Sequence, residues 1–437
     1  MIKRIGALVP LMAIVIACSS GGSGTPAPSA AAPSTAASEA ASAASPASSE
    51  AASAAGGGAS ATLTIWADDL RSAAIKPLAQ KWATDNGVTV NVQDISQNLT
   101  TQFKTASQQG TGPDIVVWAH DVIGDFVQNG AISPVQLPDT SGFDPLAIKG
   151  MTFNGQLYGV PYSVENIALI RNTDLAPNCP ASIEDMVSAG QALVKSGKAQ
   201  AIMALQVGQK GDAYHIYPFF TSGGGSFFGT TATGDPDPKN VTVDSADSIA
   251  AGQKLSGLGE KGSGALKRSI DDKNAIPLFT GAKTAFLVSG PWAISDIKKS
   301  GVNYDICAVP SFQGGKPASP FIGVNGFYLA SKGKNPTLAQ EFLQNVVPTM
   351  DFQVGLYNAD PRRPALSAAA DQVTATDPNI PKFALAAKDG TILPAIPEMG
   401  QVWTPFGVAE ASIVGGTDPA TALQGAAKAI RDGIAKQ

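Results

Sequence analysis

The sequence predicts an α/β protein of two domains. Three observations carry that prediction: strand and helix patterns alternate from Ala61 onward, residues 61–437 are too many for one compact core, and no repeat of 20–50 residues is present. Thr62 to Trp66 reads as a buried strand. Ile75, Leu78, Ala79 and Trp82 then fall at i, i+3, i+4, i+7, the apolar stripe of a helix that Gly87 ends. Val88-Thr89-Val90-Asn91-Val92 is a second strand with β-branched alternation. Leu99, Phe103 and Ala106 mark the next helix, and Asp114 to Trp118 the third strand. Alternation at this spacing implies a mainly parallel sheet flanked by helices. Further on, Ser182 with Asp185 starts a helix that runs to Ser196 and stops at Gly197. Near the C-terminus Asp418 caps a helix, Pro419 takes its first position, and Leu423, Ala426, Ala427, Ile430 and Ile434 share one face. The stretch from Gly223 to Asn240 reads as a loop.

Residues 1–17 read as an export signal. Lys3 and Arg4 form a short positive region, and the apolar run Ile5 to Ile16 is too short to span a bilayer. Val15-Ile16-Ala17-Cys18 resembles the lipobox of bacterial lipoproteins, which implies lipidation of Cys18 and attachment outside the cytoplasm. From Ser19 to Ser60 the chain is almost wholly Ala, Ser, Gly, Pro and Thr, with Glu39 and Glu50 its only charges. Side chains this small bury too little apolar area to offset chain entropy, so residues 18–60 read as a disordered tether, reaching roughly 35 Å by random-coil scaling.

Composition excludes several function classes. The formal net charge is −5 and no Lys/Arg stripe is visible, which argues against nucleic acid or an anionic membrane surface as partner. Beyond the signal no apolar run reaches about eighteen residues, so the membrane is met through the lipid anchor alone. His120 and His215 are the only histidines, which excludes a histidine-rich metal site and disfavours a His-dependent triad; no cofactor is expected. With Cys18 assigned to the anchor, Cys179 and Cys307 remain, either paired in an oxidising compartment or standing as two buried thiols.

Several segments, in one order, resemble the maltose/maltodextrin-binding proteins of ABC transporters: Leu63-Thr64-Ile65-Trp66, Gly112-Pro113-Asp114-Ile115, Trp118-Ala119-His120-Asp121, Tyr162-Ser163-Val164-Glu165, Ser289-Gly290-Pro291-Trp292, Pro320-Phe321-Ile322-Gly323-Val324, and Ile396-Pro397-Glu398-Met399 followed by Trp403. The resemblance runs from Ala61 to the C-terminus. It implies a two-lobed fold with discontinuous lobes, 61–164 plus 326–374 and 165–325 plus 375–437, that close on sugar about a hinge. It also implies a monomer serving a membrane permease pair and a cytoplasmic ATPase.

An oligosaccharide presents hydroxyls, which want charged or amide partners, and ring C–H faces, which want flat aromatic rings. Trp118 and Asp121 stand at the end of the third strand, where an open α/β sheet puts its ligands. By resemblance Trp118 contacts a sugar ring and Asp121 takes its hydroxyls; Asp121 could instead be the N-cap of the helix that follows. By the same resemblance Glu165 reads sugar hydroxyls from the second lobe, Tyr214 stacks, Asp212 takes the place of a neighbouring acid, and Trp292 and Trp403 complete the aromatic platform. Asp69 and Arg71, in the loop after the first strand, fall where the family places charged groups on hydroxyls, or form a solvated surface pair. Trp66 and Trp82 read as core. Val122, Thr404 and Gly407 replace an arginine, a tyrosine and an arginine of the family pattern, and Thr100 and Thr101 replace paired acids. These changes bear on ligand length. The alternatives are another sugar, such as trehalose or cyclodextrin, a glycoside hydrolase using Asp121 and Glu165 as paired carboxylates, and an adhesive surface protein.

Overall fold

The computed structural model describes residues 61–437; the signal, Cys18 and the tether lie outside the described residues. Strand β1 (Thr62–Ala67) alternates, sending Leu63, Ile65 and Ala67 inward. Asp68 then caps the helix Asp69–Asn86 by accepting the Arg71 N–H at 2.8 Å, and Gly87 closes it with φ +65°. Strand β2 (Thr89–Asp94) pairs parallel to β1, and β3 (Ile115–Ala119) pairs parallel to it on the other side. Trp66 and Trp82 are half-buried against the same core; Trp66 donates its indole N–H to Gln93 at 2.8 Å, and Trp82 meets Phe342 edge-on at 5.1 Å.

Not all further strands keep the parallel sense. Those that matter for the two cores are β4 (Gly159–Asn166), β5 (Ala168–Asn172), β6 (Phe286–Ser289), β7 (Tyr304–Cys307) and β8 (Phe321–Ala330). Strand β8 lies antiparallel between β3 and β4, so the central sheet is mixed. Strands β6, β5 and β7 form a separate antiparallel sheet with β5 in the middle. A continuous apolar run signals burial on both faces of a strand but carries no information on its direction.

Two large apolar interiors result. Leu63, Phe103, Phe126, Val160, Phe327 and Phe342 belong to the first. Ile167, Phe219, Phe220, Phe286, Phe406 and Ile430 belong to the second. Burying side chains of this size contributes roughly 1.5–3 kcal/mol each. Strands β4 and β8 connect them: Val160 is in the first core and Ile167 in the second, while Phe321 is in the second and Val324 in the first. A smaller cluster gathers Ala168, Phe279 and Ile306.

The expected caps form. The Ser182 hydroxyl bonds with the Asp185 N–H and carboxylate, and Asp418 caps a helix that opens on Pro419. The segment read as a loop, Gly223 to Asn240, instead carries an antiparallel hairpin of Phe228–Thr230 with Pro236–Val241. Its Gly, Pro and Thr content hides the alternation that would have revealed it. Cys179 and Cys307 are disulfide-bonded, with Cα atoms 6.1 Å apart across 128 residues of sequence. No described helix is long and apolar enough to cross a membrane.

Candidate ligand-binding cleft

A cavity of about 480 Å³ lies between residues of the two cores. Trp118, packed on the first core, lines it with Arg71 and Asp121, and Tyr214 and Trp403, packed on the second, line it too. Trp118 is the last but one residue of β3, and Asp121 sits on the short turn His120–Val122 rather than capping the next helix. His120 fixes that turn: fully buried, it accepts the Val324 N–H at 3.0 Å through Nδ1. Burial lowers its pKa to about 4, so the ring is neutral at pH 7.

Arg71 and Asp69 sit on the first turn of a helix, not in a loop, and they diverge. Asp69 is exposed, accepts the Leu70 N–H at 2.9 Å and is not among the cavity-lining residues. Arg71 is buried, lies 5.1 Å from the centre of the Trp118 ring, and donates to Asp68 and to Asn325 Oδ1, the latter at 2.5 Å. Burial opposes its charge, but Tyr162, Asp68 and Glu165 outweigh that and hold the guanidinium above its ordinary range. The Asp121 carboxyl is half-buried, and burial pushes it up to about 7 against its own backbone N–H, a hydrogen bond with Trp403 and the Arg71 charge.

Tyr214 enters on the helix Ala213–Ser222, whose cap is Asp212. The Asp212 carboxylate accepts the Tyr214 and His215 N–H groups at 3.1 and 2.9 Å and meets the His215 ring Nδ1 at 3.1 Å. Burial would raise its pKa, but His215 and Gln206 outweigh that and hold it down to about 2. Asp212 is therefore occupied in orienting Tyr214 and is not a lining residue. The Tyr214 hydroxyl is buried without a hydrogen-bond partner. The loop before Asp212 fits because positions 211 and 407 are both glycine: Gly211 has φ +77° and a Cβ there would fall 1.7 Å from the Gly407 carbonyl oxygen, while a Cβ at Gly407 would fall 2.9 Å from the Lys210 carbonyl oxygen. The same stretch of backbone thus comes against Gly407, where the resembling family carries an arginine.

Glu165 and Trp292 do not line this cavity. The Glu165 carboxylate, on β4, is bonded to Arg362, which also pairs with Asp360. The Arg362 guanidinium lies 5.7 Å from the centre of the Trp292 ring. That ring also folds back over Gly290, where any added Cβ would strike it at 2.1 Å. Glu165 instead lines a second cavity of about 320 Å³ with Pro291, Arg363 and Phe383.

Sequence reasoning missed Asp68, Asn325, Lys104 and Arg362. Asp68 carried an N-cap signal, and Asn325 was legible as a lone amide in an apolar strand, a group that must find a buried partner. Lys104 lines the cavity and pairs with Asp125 at 2.7 Å. Arg362 had only its place in Pro361-Arg362-Arg363-Pro364. Thr100, Thr101 and Val122, which depart from the family pattern, all line the cavity.

Residues 77–382 match the family model described as bacterial extracellular solute-binding protein, and the chain belongs to that family. Among its relatives is the galactooligosaccharide-binding protein of Bacillus subtilis (strain 168), 25% identical over 397 residues that cover 85% of this chain and 89% of the relative. The maltodextrin-binding protein MdxE of the same organism is 24% identical over 353 residues, covering 78% and 82%. A maltooligosaccharide ABC transporter solute-binding lipoprotein of Streptococcus pneumoniae (strain ATCC BAA-255 / R6) is 25% identical over 383 residues, covering 85% and 88%.

Proposed function

We propose that this chain is the substrate-binding lipoprotein of an ABC importer and that it captures maltodextrins in the 480 Å³ cavity. The observation that carries the proposal is the convergence of Trp118, Tyr214 and Trp403, which pack on two separate cores, with Arg71 and Asp121 on one space. Flat rings for C–H faces beside charged groups for hydroxyls are the chemistry a neutral oligosaccharide needs. Micromolar affinity corresponds to about −8 kcal/mol, and a neutral hydrogen bond nets only about 0.5–1.5 kcal/mol, so ring burial and charge-assisted bonds supply most of it.

The lobes are residues 61–164 plus 326–374 and 165–325 plus 375–437, hinged where β4 and β8 pass between the cores. Sugar touching both stabilises the closed state by its differential affinity. The closed monomer then docks on a permease pair driven by a cytoplasmic ATPase. Cys18 carries the lipid, and residues 19–60 give the binding unit its reach outside the cell membrane. A hydrolytic role is disfavoured: Asp121 and Glu165 line different cavities, and Glu165 is already ion-paired with Arg362.

A galactooligosaccharide is the second reading, supported by the B. subtilis relative that bears that name; Val122, Thr100 and Thr101, in the cavity wall, depart from the maltodextrin-binding pattern. Titration calorimetry with maltose, maltotriose, longer maltodextrins, cyclodextrin, trehalose and galactooligosaccharides decides between them. Tightest binding of an α-1,4-glucan supports the proposal, tighter binding of a galactooligosaccharide transfers the function to it, and no heat with any sugar overturns both.

A further inference from the structure

Two cavities of about 480 and 320 Å³ lie at the two ends of one run of contacting side chains. The first ends at Tyr214, whose ring lies 6.4 Å from that of Trp292. Trp292 faces the Arg362 guanidinium at 5.7 Å, and Arg362 is bonded to Glu165, which lines the second cavity. The path from one cavity to the other therefore runs Tyr214, Trp292, Arg362, Glu165.

We propose that Arg362 is a specificity-determining partition: its guanidinium covers Trp292 and holds Glu165, confines the ligand to the larger cavity, and so sets an upper limit on oligosaccharide length. This rests on the sugar-binding reading given above.

A planar guanidinium makes the two contacts a sugar ring would otherwise make at this place, one with an aromatic ring and one with a carboxylate. It is also fixed. Arg362 is 4% exposed and is held by two carboxylates, Glu165 and Asp360. Breaking a buried pair strands an uncompensated charge, a cost that a neutral hydrogen bond to one further sugar unit does not cover. Entry of a longer chain by displacing Arg362 is thus unfavourable. Its flanking residue Arg363 does not share the role, because it is half-buried and bound to Asp144 at 2.7 Å. Replacing Arg362 by a short side chain would uncover the Trp292 ring and open space between the two cavities.

The test compares the full chain with Arg362→Ala by calorimetry against maltose, maltotriose, maltotetraose, maltopentaose and maltohexaose. A second variant, Glu165→Ala/Arg362→Ala, removes both charges of the pair together with the cover on Trp292 and serves if the single alanine variant fails to fold. The ratio of affinity for maltohexaose to that for maltose is the readout, since a purely structural role would weaken all ligands together. A rise of tenfold or more in that ratio for either variant supports the partition. Maltose binding with a ratio within twofold of the unsubstituted chain overturns it and leaves the sugar-binding reading intact. Failure of the unsubstituted chain to bind any of the five overturns the maltodextrin reading, and the partition with it.

Discussion

The Arg362 guanidinium is bonded to the Glu165 carboxylate while lying 5.7 Å from the centre of the Trp292 ring. The two charged side chains are 5% and 9% exposed, so neither is solvated by water if the other is removed. Breaking a buried pair by deleting one partner costs about 3–5 kcal/mol. Asp360 remains to hold the arginine, so Glu165→Ala should lose about 3 kcal/mol, the low end, and Glu165→Gln clearly less. Urea denaturation midpoints measure both; equal stability of the alanine variant and the unsubstituted chain would contradict the burial of this pair.

Trp118 supports the cleft in two ways, as a face of the cavity and as the ring against which Arg71 rests at 5.1 Å. Trp118→Ala should weaken sugar binding by about thirtyfold, about 2 kcal/mol, as truncation of an aromatic anchor does elsewhere. Leu70→Ala, an exposed change one residue from Arg71, should leave affinity within twofold. Calorimetry with the tightest-binding sugar measures the difference.

Asp121 gives stability a pH dependence. Its carboxyl titrates at about 7 in the folded chain, against about 3.9 when unfolded. Between those values the folded state binds the extra proton, so stability contributed here falls as pH rises and stays low above 7. Asp121→Asn removes that slope. Its melting temperature minus that of the unsubstituted chain should therefore be more positive at pH 8 than at pH 5, and an equal offset at both would show that burial does not perturb this group.

Asp212 has the opposite sign. Held down to about 2 by His215 and Gln206 against the effect of burial, it contributes stability that is present above about 4 and is lost as pH falls toward 2. Asp212→Ala also removes an N-cap, which costs about 1–2 kcal/mol. Chemical denaturation at pH 7 should show that loss, and the gap between variant and unsubstituted chain should narrow on acidification to pH 3.

The Cys179–Cys307 bond closes a loop across 128 residues. Cross-links of this span restrict the unfolded chain most, and losing one costs about 2–5 kcal/mol. Cys179→Ser/Cys307→Ser should unfold at correspondingly lower denaturant while retaining sugar affinity, because neither cysteine lines the cleft.

The order of strands and helices and the caps at Ser182 and Asp418 were legible along the chain, and the family resemblance picked out Trp118, Asp121, Tyr214 and Trp403, which line one cavity. Each depends on periodicity, on hydrogen bonds within one turn, or on short motifs whose residues stay close together in the fold. The chain direction of β4 and β8, the disulfide, the hairpin within Gly223 to Asn240 and the placing of Glu165 and Trp292 outside the 480 Å³ cavity were not legible. These depend on which distant segments meet. Arg362 illustrates the reason: nothing within several residues of it specifies Glu165, 197 positions away, as its partner, and only the packing of the intervening chain into two cores brings the charges together. Asp212 makes the complementary point, since a carboxylate beside an aromatic reads as a ligand contact until the helix it caps takes up its lone pairs. Sequence thus determined which residue types were available to bind a sugar, and tertiary structure decided which of them still had a face or a polar atom free to do so.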